Sequence, residues 1–383
     1  MSKTVYMDYA ATTYTKPEVL DEMIPYFTQF YGNPSSIYSI SRETKKALDL
    51  ARDRVAKAIN ADRSEIYFTG GGSEADNWAI KGIAFAHKNK GNHIITTKIE
   101  HHAVLHACEY LEKNHGFEVT YLDVNEEGLI NIEDLKNAIT DKTILVTIMF
   151  ANNEIGVIQS IKEIGQICRD KKVFFHTDAV QAVGNVPIDV KDMNIDLLSL
   201  AAHKIYGPKG VGVLYIKKGI KIHNLIYGGA QEKNRRAGTE NVAGAVAMAK
   251  ALRMTLAKAD TGAETMKKIQ TLLWNGLTEI EGTQIHTPHE YMAPHIINFS
   301  LKGIKSEVFI HALERKGVFV STTSACSSKK KSPSKTLIEM GVPETLAESA
   351  IRISLSFQNS EEEALTALAA LKESANQLRK VMK

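Results

Sequence analysis

The sequence predicts an α/β fold on a mostly parallel, seven-stranded sheet covered by helices, with a smaller α+β domain. Three observations predict it. Short apolar runs alternate with amphipathic stretches through the first two thirds of the chain. The runs are continuously apolar, as expected of strands buried on both faces. Polar, chemistry-bearing residues collect where the runs end, and ligands of such sheets sit outside the carboxyl ends of the strands.

The strands expected are E-I-Y-F-T (65–69), H-I-I-T-T (93–97), E-V-T-Y-L (118–122), T-I-L-V-T-I-M (143–149), V-F-F-H-T (173–177), L-L-S-L-A (197–201) and V-G-V-L-Y-I (211–216). Helical patterns separate most of them, for example Ser73 to Lys88 and His102 to Asn114. Beyond about residue 255 the texture changes. Long polar helical stretches (Asp260 to Glu281, Ser360 to Met382) flank the short strand candidates H-I-I-N-F-S and V-F-V-S-T. The division expected is an N-terminal arm (1–14) packing with the small domain, a large domain (15–255) and a small C-terminal domain (256–383).

Composition narrows the class. The chain has 383 residues, 44% hydrophobic and 24% charged, with a net charge of +3. That charge is too small to argue for a nucleic-acid partner. Three cysteines, Cys108, Cys168 and Cys326, are too few for a disulfide framework and fit a reducing compartment. The N-terminus has no apolar signal-peptide core, and no run has the length of a membrane span. A cytoplasmic enzyme is expected.

The most informative run ends in A-H-K-I-Y-G-P-K-G and delivers Lys204 to a sheet edge. Burial of an amine there favours its neutral, nucleophilic form. The preceding expected strand runs into Asp178 in H-T-D-A-V-Q. A strand-end carboxylate and a strand-end lysine are what pyridoxal phosphate chemistry requires. One keeps the pyridine nitrogen protonated, and the other reacts with the aldehyde. Gln181 is placed to reach the ring oxygen. Read alone, a strand-end Asp is equally a helix cap.

Other motifs fit with less specificity. T-G-G-G-S-E (69–74) joins a strand to a helix, an arrangement that binds phosphate or simply turns the chain. Gly70, Gly72 and Ala75, with Glu100 ending the next strand, also fit a permissive dinucleotide fingerprint. E-H-H-A-V offers His101 or His102 for ring stacking or proton transfer. His102 and His106 are spaced for a metal but lack a third ligand. A-N-N-E-I-G supplies two asparagines that are turn formers or a ligand contact. The long loop Y-G-G-A-Q-E-K-N-R-R-A-G-T-E-N carries Arg235, Arg236 and Thr239 toward a phosphate, a partner subunit or solvent. Arg352, inside the apolar run A-I-R-I-S-L-S, needs an anion, which a substrate carboxylate or a structural ion pair would supply. Cys326 lies in a small, polar, basic segment whose Lys329, Lys330 and Lys331 favour a thiolate. Cys108 and Cys168 sit in helical patterns and are expected to be inert.

Taken together these motifs resemble the cysteine desulfurases of the NifS/IscS type, in the class-V aminotransferase family of pyridoxal phosphate fold type I. The resemblance starts at M-D-Y-A-A-T-T (7–13) and Y-G-N-P-S-S (31–36). It continues in order through the motifs above, R-R-A-G-T-E, S-A-C-S-S and I-R-I-S-L. It implies conversion of L-cysteine to L-alanine with sulfur held on Cys326 as a persulfide, for iron–sulfur cluster assembly, tRNA thiolation or both. Lys204 resembles the Schiff-base lysine, Asp178 the pyridine-nitrogen partner and His101 the stacking, proton-moving histidine. Asn153 and Gln181 resemble ring-side contacts. Gly72, Ser73 and His203 resemble phosphate contacts, joined by Thr239 from the second subunit of a homodimer. Asn33 and Arg352 resemble the pair that holds the substrate carboxylate. The large domain is then the cofactor-binding one and the small domain carries the catalytic cysteine loop, which resembles the family's longer-loop branch. An IscU-type scaffold protein or a tRNA-thiolating enzyme would accept the sulfur. No intrinsic metal is implied, although Cys326 is open to transient ligation of an iron–sulfur cluster shared with a scaffold.

Two departures stand out. Ala201 occupies the place of the family's usual phosphate-binding serine. One lost hydrogen bond to a charged group corresponds to about 1.5–3 kcal/mol, or roughly ten- to a hundredfold in affinity. Gly72 replaces a frequent alanine. Rival readings from the residues alone are another pyridoxal enzyme, a nicotinamide dehydrogenase and a non-catalytic sulfur carrier.

Overall fold

The computed structural model describes residues 4–322 and 333–382. Cys326 and Lys329 to Lys331 therefore lie outside the described residues.

The large sheet contains β2 (Ile66–Thr69), β3 (His93–Thr97), β4 (Glu118–Leu122), β5 (Thr143–Thr147), β6 (Phe174–Asp178), β7 (Leu197–Ala201) and β8 (Gly212–Ile216), after a short β1 (Val5–Tyr6) at the N-terminus. Its order is β2-β8-β7-β6-β5-β3-β4. All pairs are parallel except the two made by β8, which runs against both β2 and β7. The expected seven-stranded, mostly parallel sheet is thus present.

Side chains explain why the sheet needs two covers. Successive residues point to opposite faces. Ile66, Phe68, Leu198 and Leu200 join a core with the helices Ser39–Ala58, Ile161–Lys171 and Val242–Leu256. Tyr67, Leu145, Leu197 and Leu214 join the opposite core with the helices Gly72–His87 and His102–His115. Within Gly72–His87 the buried Ala75, Trp78, Ala79 and Ile83 recur at helical spacing and form the face laid on the sheet.

Element boundaries shift by a residue or two from expectation. Residues Arg63–Glu65 form a 3-10 turn, closed by a reciprocal cap between Asp62 and Glu65, so β2 starts at Ile66. Strand β5 stops at Thr147, two residues short, because Met149 N–H turns to the Glu100 carboxylate. Strand β6 extends through Asp178, whose backbone pairs with Ser199.

A second sheet, in the order β12-β13-β10-β9, contains β9 (Thr283–Ile285), β10 (Ile296–Leu301), β12 (Ser321–Thr322) and β13 (Ala350–Ser354). Strand β11 (Val318–Phe319) pairs in parallel with β1. Val5 and Met7 are buried in the core formed by this sheet and the helices Ala259–Thr278, Ser306–Glu314 and Glu361–Met382. Among the described residues no helix is long and apolar enough to cross a membrane.

Candidate active site

A cavity of about 340 Å³ opens at the carboxyl ends of β6 and β7. It is lined by Lys204, Asp178, His101, Asn153, Gln181, His203, Ala201, Gly72, Ser73 and Arg352, all singled out in the sequence. Asn33 and Thr239 do not line it in their own chain. They meet at a separate cavity of about 240 Å³.

Lys204 follows β7 in a single 3-10 turn. Its Nζ donates to the carbonyls of Ala10 and of Ala11, the latter at 2.8 Å. The N-terminal arm therefore forms one wall of the pocket. Gln181 Nε2 donates to the same Ala10 carbonyl at 3.0 Å, and its Oε1 faces His295 Nε2 at 3.3 Å.

Asp178 is 7% exposed. Val180 N–H donates to its Oδ1 at 2.9 Å. Burial raises its pKa, and the charges of His101 and Lys204 oppose that rise. A carboxylate held beside the Lys204 amine and the His101 ring at a cavity floor is placed to face a protonated ring nitrogen.

His101 caps the helix His102–His115, its Nδ1 accepting the Ala103 N–H at 3.1 Å. With Nδ1 occupied as acceptor, the neutral ring carries its proton on Nε2. His203 is kept neutral, with its pKa lowered to about 4 by burial and by Lys204 and Lys209. Of the two asparagines after β5, Asn152 is the turn former. It is buried, its Oδ1 accepts from Glu154 N–H and Ile155 N–H, and Asn153 is left to face the cavity.

Arg352 enters from β13. Its Nη2 donates to Asp8 Oδ1 at 2.8 Å and its Nη1 to the Asn153 carbonyl at 2.8 Å. Its Nε is buried without a partner. The ion-pair reading of Arg352 has its structural counterpart in Asp8.

The glycine turn is shaped for close approach. Gly71 has φ +151°, which favours glycine. A Cβ on Gly72 would come within 2.9 Å of Val180 Cγ2. Glu74 accepts the Gly70 N–H at 2.7 Å and is clamped by Arg236. An anion is thus left with the start of the helix Gly72–His87 and the Ser73 hydroxyl. Glu100, which the dinucleotide reading placed on a ribose, is instead a buried acid. Its Oε1 accepts from the Thr97 hydroxyl and from Met149 N–H.

Sequence reasoning missed Asp76, Asp8 and the Ala10–Ala11 wall. Asp76 is 1% exposed and lines the cavity. Its one sequence signal is an acid on the apolar face that Ala75, Trp78 and Ala79 define. Cys108 and Cys168 are buried in helices with thiol pKa values pushed up by burial, as inert cysteines require.

The sequence matches the Aminotransferase class-V family over residues 5–366. It is 57% identical over 366 residues to a cysteine desulfurase IscS of Clostridium botulinum, covering 95% of this chain and 92% of that protein. It is 50% identical to an IscS of Methanosarcina thermophila, covering 99% and 93%. The chain belongs to the class-V aminotransferases, among the cysteine desulfurases. A solved NifS-like protein superposes with TM-score 0.91 at 37% identity, covering 97% of this chain and 99% of that one. Another, from Rickettsia africae, gives 0.88 at 29% identity over 98% and 100%. Desulfurases of this family depend on pyridoxal phosphate, and the donor set fits that group. A buried carboxyl, an amine and an open helix start converge on one cavity.

Proposed function

We propose that this desulfurase converts L-cysteine to L-alanine and transfers the sulfur to Cys326 as a persulfide, for iron–sulfur cluster assembly, tRNA thiolation or both. The observation that carries the reading is the convergence of Lys204, Asp178, His101 and Arg352 on one cavity.

Lys204 would tether pyridoxal 5′-phosphate and Asp178 would face its ring nitrogen. His101, Asn153 and Gln181 would border the ring. Gly72, Ser73 and His203 would hold the phosphate, and Ala201 offers that phosphate no hydroxyl. When bound, the group supplies an electron sink at the substrate's α-carbon. Arg352 would orient the substrate carboxylate, with Asn33 as its partner in this role. The Lys204 amine would take the α-proton, and His101 would return a proton from Nε2. The Cys326 thiolate attacks the substrate sulfur. The substrate's C–S bond breaks, an S–S bond forms, and a proton replaces sulfur on the carbon, so that cysteine plus thiol becomes alanine plus persulfide.

The enzyme would act as a cytoplasmic homodimer. Asn33 and Thr239 line a cavity of their own beside the exposed Phe27 and Tyr31, a surface a second subunit would cover, bringing Thr239 to the neighbouring phosphate. An IscU-type scaffold or a tRNA-thiolating enzyme would take the sulfur. Cys326 would also be the residue to share a transient cluster with a scaffold. With a division at residues 14 and 255, the cofactor would sit on the large domain and Cys326 would belong to the small one.

Cys326→Ala should abolish alanine and sulfide release from cysteine while retaining the cofactor's colour. Full activity in that variant would remove Cys326 from the reaction. Lys204→Ala should lose both the bound chromophore and turnover.

A further inference from the structure

Beneath the cavity lies a buried polar chain that the reaction above does not use. Thr147 Oγ1 is 2.8 Å from His176 Nδ1, and His176 Nε2 is 3.0 Å from Ser199 Oγ. Ser199 in turn bonds the Asp76 carboxyl. Thr147, His176 and Ser199 are fully buried. Asp76 Oδ1 is buried without a partner, 3.7 Å from His176 Nε2. Oxygens of Asp76 and Asp178 and a ring nitrogen of His101 all lie within 4.8 Å of one another.

Two carboxylates this close in a dry site do not both ionise. Their surroundings decide which one holds the proton. Asp178 has the Val180 N–H and the nearby charges of His101 and Lys204. Asp76 has one hydroxyl, and burial together with the charge of Asp178 drives its pKa well up. Its other neighbour, His176, is neutral, its pKa lowered by burial to about 3. Glu100 is itself pushed up to about 8. His203 and Arg352 also line the cavity but are not among the groups acting on Asp76.

We propose that Asp76 is held as a neutral acid and acts as a positioning residue for Asp178, leaving a single negative charge opposite the cofactor's ring nitrogen. The chain Thr147–His176–Ser199 fixes the orientation of this acid. The function of Asp76 rests on the pyridoxal reading, whereas its protonation does not.

Infrared difference spectra of the full-length protein, with and without cofactor, test the protonation directly. At neutral pH the wild type should show a protonated-carboxyl stretch that Asp76→Asn lacks. An unchanged carboxyl band, with loss of a carboxylate band instead, overturns the proposal. The functional half is read from the visible spectrum of the cofactor-loaded protein against pH. Asp76→Asn replaces one neutral group by another, so the chromophore's apparent pKa should stay within a few tenths of wild type. A fall of about one unit or more would mean that a charge had been removed and overturns the proposal. Asp76→Ala should release cofactor faster than wild type, and Asp76→Asn should restore retention; failure of Asp76→Asn to restore it overturns the positioning role. A wild type that binds no chromophore would sink the pyridoxal reading and the positioning role, while the infrared result would still decide the protonation.

Discussion

Arg352 Nη2 lies 2.8 Å from Asp8 Oδ1, so the arginine beside the cavity is already paired before any substrate arrives. The pair joins β13 to the N-terminal arm, whose Ala10 and Ala11 carbonyls bind Lys204. The arm therefore sets the position of both a proposed substrate contact and the proposed cofactor lysine.

This geometry makes Arg352→Lys a non-conservative change. Lysine keeps the charge but lacks the planar fork that reaches Asp8, Asn153 and a carboxylate together. Loss of a charge-assisted hydrogen bond is about 1.5–3 kcal/mol. The kcat/KM for cysteine should fall roughly ten- to a hundredfold, mostly through KM, while cofactor content stays unchanged. Steady-state alanine release and the visible spectrum separate the two effects.

At Ala201, the β carbon lines the cavity wall about where a Cβ on Gly72 would reach, 3.6 Å away. Ala201→Ser places a hydroxyl beside the helix start proposed to hold the phosphate. Cofactor affinity should rise roughly tenfold or more, measured by equilibrium dialysis against pyridoxal phosphate. Unchanged affinity would mean that the other donors already satisfy the phosphate.

Much of this site is written in the sequence because strand ends are. Continuous apolar runs mark buried strands, and Asp178 and Lys204 stand where two of them stop. Local signals fail where partners are distant in the chain. Asp8 pairs with Arg352 across nearly the whole length of the chain, and no spacing rule links them. Asp76 looks like one polar residue in an amphipathic helix until the fold turns its face toward Asp178. No local signal separates Asn152 from Asn153; the resemblance singles out Asn153, and the turn supplies the reason by tying Asn152 to the backbone. The loop 227–241 reads as a polar functional loop, and nothing in it marks Glu232 as buried. Glu232 accepts two hydrogen bonds from Arg52, which lies on a helix far earlier in the chain.

Gly72 has a packing reason as well as a ligand-binding one. Gly72→Ala would press a methyl to 2.9 Å from Val180 Cγ2. The loss in stability should be about 1–3 kcal/mol. Val180→Ala opens that space, so the double variant should lose less than the sum of the single losses. Urea unfolding of the four proteins measures the coupling, and strict additivity would show that the contact relaxes without cost.

Glu100 should give the protein a pH-dependent stability on the alkaline side. In the unfolded chain its carboxyl ionises near the ordinary value of 4.5, whereas burial holds the folded carboxyl protonated up to about 8. Between those values the unfolded state has released a proton that the folded state keeps, so stability falls as pH rises. The contribution is fully present below the unfolded pKa and lost as pH passes through the folded one. Its size is roughly 3–5 kcal/mol. Glu100→Gln retains an oxygen for Thr97 and Met149 and has no proton to lose. The stability difference between wild type and Glu100→Gln should therefore change steadily between pH 5 and 8, in favour of the variant at the alkaline end. Taking the difference cancels the titrating groups that do not interact with Glu100, the depressed His176, His286 and His295 among them. Those histidines stay neutral in the fold and destabilise it only as pH drops below their ordinary 6.5. Parallel denaturation curves for the two proteins across this range would show that Glu100 is ionised in the folded state, and its unpartnered Oε2 would then need a cation or water to hold the charge.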